Sequence, residues 1–162
     1  MSIGESLLSE FDTEMATTRR LLERVPGDKG AWKPHEKSFP LGHLAQLVAS
    51  MPGWLTSTLR TTDLDLANFK GYTVESTAAL LADFDRNVRE ARAAFTTAKD
   101  ADFAVPWSLR SGAQVFFTLP RAAVLRQHLN HLVHHRGQLS VYLRLLDVPI
   151  PSIYGPSADE KM

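Results

Sequence analysis

The stretch Arg126–Arg144 reads RQHLNHLVHHRGQLSVYLR and carries four of the chain's six histidines. Leucines recur in and beside it at spacings of three, four and seven residues, which predicts an amphipathic helix: Leu125, Leu132, Leu139, Leu143 and Leu146. At about 100° per residue, His128 and His135 fall on the leucine face, and His131 lies about 40° from His135. Histidines four residues apart stand one turn above the other, which is the usual geometry of a helical pair of metal ligands. The alternative is a pair of core histidines that bond to neighbours.

Composition restricts the function classes. The chain has 162 residues, which suits one domain, and it has 18 basic and 18 acidic residues, so its formal net charge is zero. No bulk positive field favours nucleic acid, and we expect neither a membrane span nor a signal peptide. The expected location is the cytoplasm. The chain has no cysteine, so a metal must be held by histidine, carboxylate or amide groups, and any thiol must come from a small molecule.

Three further helices are predicted from apolar periodicity. The first runs from Ser2 to Arg24, with Ser2 and Glu5 at capping-box spacing. The second starts near Pro40, and Pro52 is expected to kink or end it. The third runs from about Thr73 to Ala98, after a loop predicted over residues 61–72.

The segment 100–120 breaks the helical pattern. Apolar residues alternate on either side of Ser111-Gly112, which predicts a short hairpin in the crossover to the last helix. That helix is predicted from Pro120 to about Asp147, and the proline-rich tail from about residue 148 is expected to be irregular.

The run HLNHLVHHRGQLSVYLR resembles the last helix of DinB-like proteins, a superfamily of DNA-damage-inducible bacterial four-helix bundles. A histidine, three residues and then HRGQ is the typical ending, which His131 and His135–Gln138 match. AWKPHEKS, MPGW and the tail PIPSIYGPSADE are similar to the same family. The resemblance implies an all-α, up-down-down-up four-helix bundle over residues 1–162, with a long crossover before the last helix. It also implies a homodimer.

A metal site of the DinB-like kind uses three histidines, and His131 and His135 match the pair on the last helix. The histidine of the second helix aligns with Leu47 here, so His43, one turn earlier on the same face, is the third ligand expected. Three imidazoles with an open position suit a catalytic divalent ion such as Zn, Ni or Fe. His128 ranks below His43, because three ligands from one helix converge poorly. Gln46 and Gln138 are candidate weak ligands or hydrogen-bond partners; they are not assigned a catalytic role.

Two functions follow from the resemblance. The first is a metal-dependent transferase or isomerase that uses a low-molecular-weight thiol such as bacillithiol, mycothiol or glutathione, with the ion as Lewis acid. The alternative is a non-catalytic bundle with a degenerate metal site, acting as a small-molecule-binding or stress-related protein, and Leu47 favours this alternative. The sequence leaves the catalytic residues and the substrate open. DNA binding is disfavoured by the balanced charge.

Overall fold

Four α-helices and a three-stranded sheet form the described chain, residues 2–72 and 76–161 of the computed structural model. The helices are α1 (Ile3–Leu22), α2 (Leu41–Arg60), α3 (Thr77–Thr97) and α4 (Arg121–Leu145), and the strands are β1 (Asp63–Asp65), β2 (Pro106–Ser111) and β3 (Gln114–Pro120). Short 3-10 helices span Gly27–Lys29 and Asp100–Ala104. Within the described chain, none of the helices is long and apolar enough to cross a membrane.

Local sequence signals account for the helix ends. The predicted capping box of α1 is present, because Glu5 N donates to Ser2 Oγ (3.2 Å) and Ser2 N donates to Glu5 Oε2 (2.7 Å). The helix α2 begins directly after Pro40 and continues through Pro52, so the expectation that Pro52 ends the helix is wrong. The predicted start of the third helix, Thr73, lies outside the described residues. In the described part, Ser76 caps α3 by accepting from Ala79 N.

Contacts between helices determine their relative directions. In two helix pairs the residue numbers of the contacting residues increase together along both helices, which indicates parallel helices. The contacts between α1 and α4 are Glu10–Arg126 and Glu14–Arg136. The contacts between α2 and α3 are Gln46–Asp83 and Ala49–Asn87. Other contacts run in opposite order and indicate an antiparallel pair: Gly4–Phe95 and Arg19–Asp85 join α1 to α3. The order of directions is that expected of an up-down-down-up bundle.

The expectation of an all-α fold is confirmed in part, because the chain is mostly helical but also carries a small three-stranded sheet. The predicted hairpin is confirmed: β2 and β3 pair antiparallel, with Gly112 at φ +57° in the turn. The strand β1 lies in the segment predicted as an irregular loop and pairs in parallel with β2. Its carboxylates at Asp63 and Asp65 form ion pairs with Arg110, and Asp65 also accepts from Gly112 N (2.9 Å). The protein is thus mostly helical with a small sheet.

The helix α4 is buried on two sides. Five of its leucines join the common hydrophobic core with residues of the other three helices: Leu125, Leu129, Leu132, Leu139 and Leu143. The tail after α4 lacks helix and strand in its described residues and packs back on the bundle, where Ile150 is buried and Asp159 accepts from Ile150 N (2.8 Å). The tail also returns to α1 through the ion pair between Arg20 and Glu160.

Candidate functional site

A cleft of about 570 Å³ lies beside α2 and α4 and is covered by the segment that follows β1. Its walls are mainly apolar and aromatic; the lining residues are Phe39, His43, Leu47, Trp54, Ser57, Leu64, Asp65, Leu66, Asn68, Phe69, Tyr72, His131 and His135. The three histidines singled out from the sequence therefore line one cavity. Leu47, which was aligned from the sequence with the third histidine of DinB-like sites, lines the same cavity and is 7% exposed.

The histidines of α4 belong to a short chain of hydrogen bonds. His135 Nε2 lies 2.8 Å from His131 Nε2, and His135 Nδ1 lies 2.7 Å from Gln138 Oε1. The Gln138 amide nitrogen lies 3.1 Å from His134 Nε2. An amide oxygen only accepts, so the His135 Nδ1–H donates to it and a neutral His135 keeps its lone pair on Nε2. His131 Nε2–H then donates to that lone pair. Gln138 thus holds His135 in the tautomer that a ligand in the cleft can use.

His43 has a different environment from the α4 pair. Its ring stacks on Phe39, with centroids 4.4 Å apart and planes 13° apart, and meets the Tyr72 edge at 5.3 Å. These contacts make His43 part of an aromatic rim on the cleft, which Phe69 extends through its contact with Tyr72 at 5.1 Å. The packing accounts for a histidine here without a ligand role.

A three-histidine metal site fits these residues poorly. Two nitrogen ligands of a tetrahedral zinc ion are about 3.3 Å apart. The distance between His131 Nε2 and His135 Nε2 is 2.8 Å, so it would have to increase by about 0.5 Å for both nitrogens to bind one zinc ion. Leu47 lines the same cavity and has no donor atom, and His43 stacks on Phe39 at the rim. Among residues 2–72 and 76–161, no three His, Asp or Glu side chains come together as a metal-ligand group.

Burial lowers the pKa of three histidines of α4, which are His128, His131 and His135. It lowers the pKa of His128 to about 4, and the nearby His131 adds to this effect. Burial and then the neighbouring His135 and His134 lower the pKa of His131. Burial also lowers the pKa of His135, although the bond to Gln138 acts in the opposite direction. Neutral imidazoles at pH 7 can accept a proton from a ligand or hold a metal ion.

The remaining sequence candidates lie outside the cleft or at its edge. His35 is exposed in the connector before α2, and its Nδ1 accepts from Lys37 N (3.1 Å). Gln46 is buried and donates to Asp83 on α3 (3.3 Å), so it serves the packing of α2 on α3. His128 packs between two tryptophans, at 5.5 Å from Trp54 and 6.1 Å from Trp107.

A buried ion pair on the α1 side of α4 was missed by the sequence reasoning. Arg136, from the HRGQ motif, is 1% exposed and pairs with the Glu14 carboxylate at 2.6 Å. Its guanidinium also donates to Thr18 Oγ1 (3.1 Å) and to the Tyr154 hydroxyl (2.7 Å). The Arg136 side chain therefore ties α4 to α1 and to the tail, on the side away from the cleft.

The cleft wall after β1 was also missed, because residues 61–72 were predicted as a surface loop. Leu64, Leu66 and Phe69 lie in that segment and line the cleft. The available signal was the alternation of apolar and polar residues in DLDL, which is typical of a strand with one covered face. Trp54 of α2 also lines the cleft.

The chain belongs to the DinB family, whose model matches residues 1–161. It is 26% identical over 157 residues to YrdA, an uncharacterized protein of Bacillus subtilis strain 168, a match that covers 96% of this chain and 90% of YrdA. Its fold is similar to the crystal structure of a DinB-like protein from Bacillus cereus ATCC 10987 (TM-score 0.72, 20% identity, 94% of this chain and 98% of that one). It is also similar to the DinB-like protein YjoA of Bacillus subtilis (TM-score 0.69, 18% identity, 88% and 92%).

Proposed function

We propose that this DinB family member binds an apolar small molecule in the cleft between α2 and α4. The observation that carries the proposal is the cleft itself: a cavity of about 570 Å³ with mainly apolar walls, whose polar lining includes the hydrogen-bonded pair of His131 and His135. Cavities of a few hundred Å³ with this composition are the usual sites for small molecules. The histidine pair supplies orientation, and the aromatic rim supplies contact area.

The aromatic side chains of the cleft offer flat surfaces on which a ring of the ligand can pack. Trp54 lines the cleft and contacts the His131 ring at 5.6 Å, and the stacked pair of Phe39 and His43 stands at the rim. Aromatic rings prefer offset or edge contacts with such walls, and each contact adds about 0.5–1.5 kcal/mol beyond burial. A molecule with an aromatic or alicyclic ring is therefore the expected ligand.

A metal-dependent enzyme that uses a low-molecular-weight thiol is the second candidate. The observation that favours it is the bond between His135 Nδ1 and the Gln138 oxygen, because an orienting oxygen on one ring nitrogen is the usual arrangement of a metal-bound histidine. The Nε2 lone pair would become available to a metal ion once His131 released it. His131 and His135 would hold two positions of a Zn, Ni or Fe ion, and the ion would supply Lewis acidity toward the thiol. His43 would be the third ligand only after giving up its stack on Phe39. Leu47 makes this the weaker candidate.

Naphthalene titration tests the first candidate. By isothermal calorimetry we expect saturable binding to the unmodified protein. We expect none to Ser57→Phe, because Ser57 lines the cleft and a phenyl ring there fills it. The matched control is Ser9→Phe, an exposed position on α1 that does not line the cleft. Equal binding to all three proteins, or none to the unmodified protein, would reject the proposal.

Metal analysis of tag-free protein tests the second candidate. An ion bound by the α4 pair predicts metal in the unmodified protein and its loss in both His131→Ala and His135→Ala. His43→Ala decides whether the third ligand has moved by one turn. Metal-free protein, with naphthalene binding intact, favours the first candidate. The homodimer implied by the family is proposed for either function, and light scattering at micromolar concentration should then give twice the 18.0 kDa chain mass.

A further inference from the structure

The charged group in the lining of the cleft is a carboxylate. Among the described residues that line the cleft, none is lysine or arginine, whereas Asp65 of β1 lies in the wall. Asp65 and Asp63 share one guanidinium, that of Arg110, so the three side chains together carry one negative charge in excess. This excess charge favours a bound cation and disfavours a bound anion.

The Asp65 carboxylate has room for a further hydrogen bond. Its Oδ1 accepts from Ala67 N and from Gly112 N, both at 2.9 Å, and its Oδ2 accepts from Arg110. A carboxylate offers about four acceptor sites, so one is left among the residues that the structure describes. The bonds from Ala67 N and Gly112 N, and then the charge of Arg110, lower the pKa of Asp65 and keep it ionised. The side chain is 31% exposed, so a ligand in the cleft can reach it.

The histidine pair offers a ligand no N–H group. His135 Nδ1–H donates to Gln138, and His131 Nε2–H donates to His135. A neutral imidazole has one N–H, so both donors are used inside this chain of hydrogen bonds. The other nitrogen of His131, Nδ1, then carries a lone pair, and the His131 side chain is exposed in the cleft. A carboxylate or carbonyl ligand would therefore find no donor in the pair.

Aromatic side chains add a second attraction for a cation. Trp54, Phe69 and Tyr72 line the cleft, and Phe69 is exposed. The faces of aromatic rings attract an ammonium ion within about 6 Å, and tryptophan is the strongest of them. The hydroxyl and amide groups of Ser57 and Asn68 both donate and accept, so they do not oppose a ligand that only donates.

We propose that the cleft binds a protonated primary amine carried on an apolar ring, with the ammonium group beside Asp65 and the ring on the aromatic wall. An ammonium ion has three donors and no acceptor, which suits a carboxylate and a histidine pair without a free N–H. This proposal rests on the proposed binding function and adds the ligand class, a ring-bearing amine.

Three probes that share the naphthalene ring test the ligand class on the unmodified protein by isothermal calorimetry at neutral pH. They are 2-naphthylmethylamine, which is a cation, 2-naphthalenemethanol, in which a hydroxyl replaces the ammonium group, and 2-naphthoate, which is an anion. We expect the amine to bind about fivefold more tightly than the alcohol, from its contacts with Asp65 and the aromatic faces. We expect 2-naphthoate to bind most weakly. Equal affinity for the amine and the alcohol, or tightest binding of the anion, would overturn the proposal.

Two variants assign the preference to Asp65. Asp65→Asn removes the charge but keeps an oxygen that can accept from Ala67 N and Gly112 N, and the preference for the amine should fall below about twofold. Asp63→Asn is the matched control, because Asp63 pairs with the same Arg110 and does not line the cleft. It loses the same charge and should keep most of the preference. A preference that persists in Asp65→Asn, or that falls equally in both variants, would refute the assignment.

The outcomes separate this proposal from the function on which it rests. The comparison of probes on the unmodified protein stands even if Asp65→Asn fails to fold. Binding of the amine and the alcohol without preference removes only the proposed ligand class. Failure of all three probes to bind removes the proposed function as well.

Discussion

Substitution of Glu14 by glutamine is expected to destabilise the protein strongly, because it breaks a buried ion pair. Arg136 is 1% exposed and Glu14 is 12% exposed at the side chain, so neither charge is well hydrated in the folded state. Glu14→Gln keeps the size of the side chain and removes its charge. The guanidinium then stays buried with neutral acceptors only, which are Thr18, Tyr154 and the backbone carbonyl of residue 14.

The expected loss is about 3 kcal/mol in the free energy of unfolding, at the lower end of the cost of leaving a buried charge unpaired. The double variant Glu14→Gln/Arg136→Met removes both charges and fills the site with an apolar chain. It should recover most of the loss, because replacing a whole buried pair is often close to neutral.

Urea unfolding followed by far-ultraviolet circular dichroism measures these free energies. The structure offers a matched control one turn earlier, where Glu10 pairs with Arg126 across the same two helices and both side chains are 40% exposed or more. Glu10→Gln should cost less than about 1 kcal/mol, as exposed pairs do. A similar small loss for both single variants, or a double variant no more stable than Glu14→Gln, would refute the argument from burial.

Three further predictions follow from the packing and the cleft. Burial lowers the pKa of His128 from 6.5 to about 4 in the folded protein, so on acidification the unfolded chain takes up a proton first. The contribution of neutral His128 to the free energy of unfolding is therefore fully present above about pH 6.5, and up to about 3 kcal/mol is lost as the pH falls toward 4. Urea unfolding at a series of pH values should show a shallower loss in His128→Leu. Gly4→Ala should destabilise the protein in thermal unfolding, because the added Cβ would lie 2.7 Å from the Phe95 carbonyl oxygen. Gly137→Ala should stabilise the protein by about 0.5–1 kcal/mol, because its added Cβ has no atom within 4 Å and alanine favours the helix over glycine. Leu47→His should raise zinc affinity at least about tenfold, measured by competition with a chelator, by supplying the missing third ligand; unchanged affinity would show that the three positions do not converge.

Local patterns predicted most of the secondary structure. The capping box of Ser2 and Glu5 is a signal within four residues, and the alternation around Gly112 is a signal within a dozen, so both could be identified from the sequence. The strand β1 gives a weaker signal, because the DLDL alternation spans only four residues. Its hydrogen bonds are made to β2, more than forty residues away, so its pairing cannot be identified from the local sequence.

In the cleft and on the opposite side of α4, contacts within one helix could be predicted from the sequence, and contacts between distant segments could not. The spacing of His131 and His135 determines that they meet, since neighbouring turns of one helix bring them together. The burial of Arg136 depends on the position of Glu14 on another helix. A helical-wheel projection that assigns one apolar face to α4 does not show that the helix is covered on two sides. The stack of His43 on Phe39 likewise depends on the connector before α2.

Nuclear magnetic resonance of the tryptophan indole N–H groups tests the central claim, that this cleft binds apolar small molecules, most directly. The chain has three tryptophans, so the signals can be assigned by substituting each with phenylalanine. Trp54 lines the cleft, whereas Trp32 packs against Tyr142, with ring centroids 5.7 Å apart. Adding naphthalene should shift the Trp54 signal saturably and leave the Trp32 signal unchanged. No shift of Trp54, or equal and unsaturable shifts of both signals, would contradict the account.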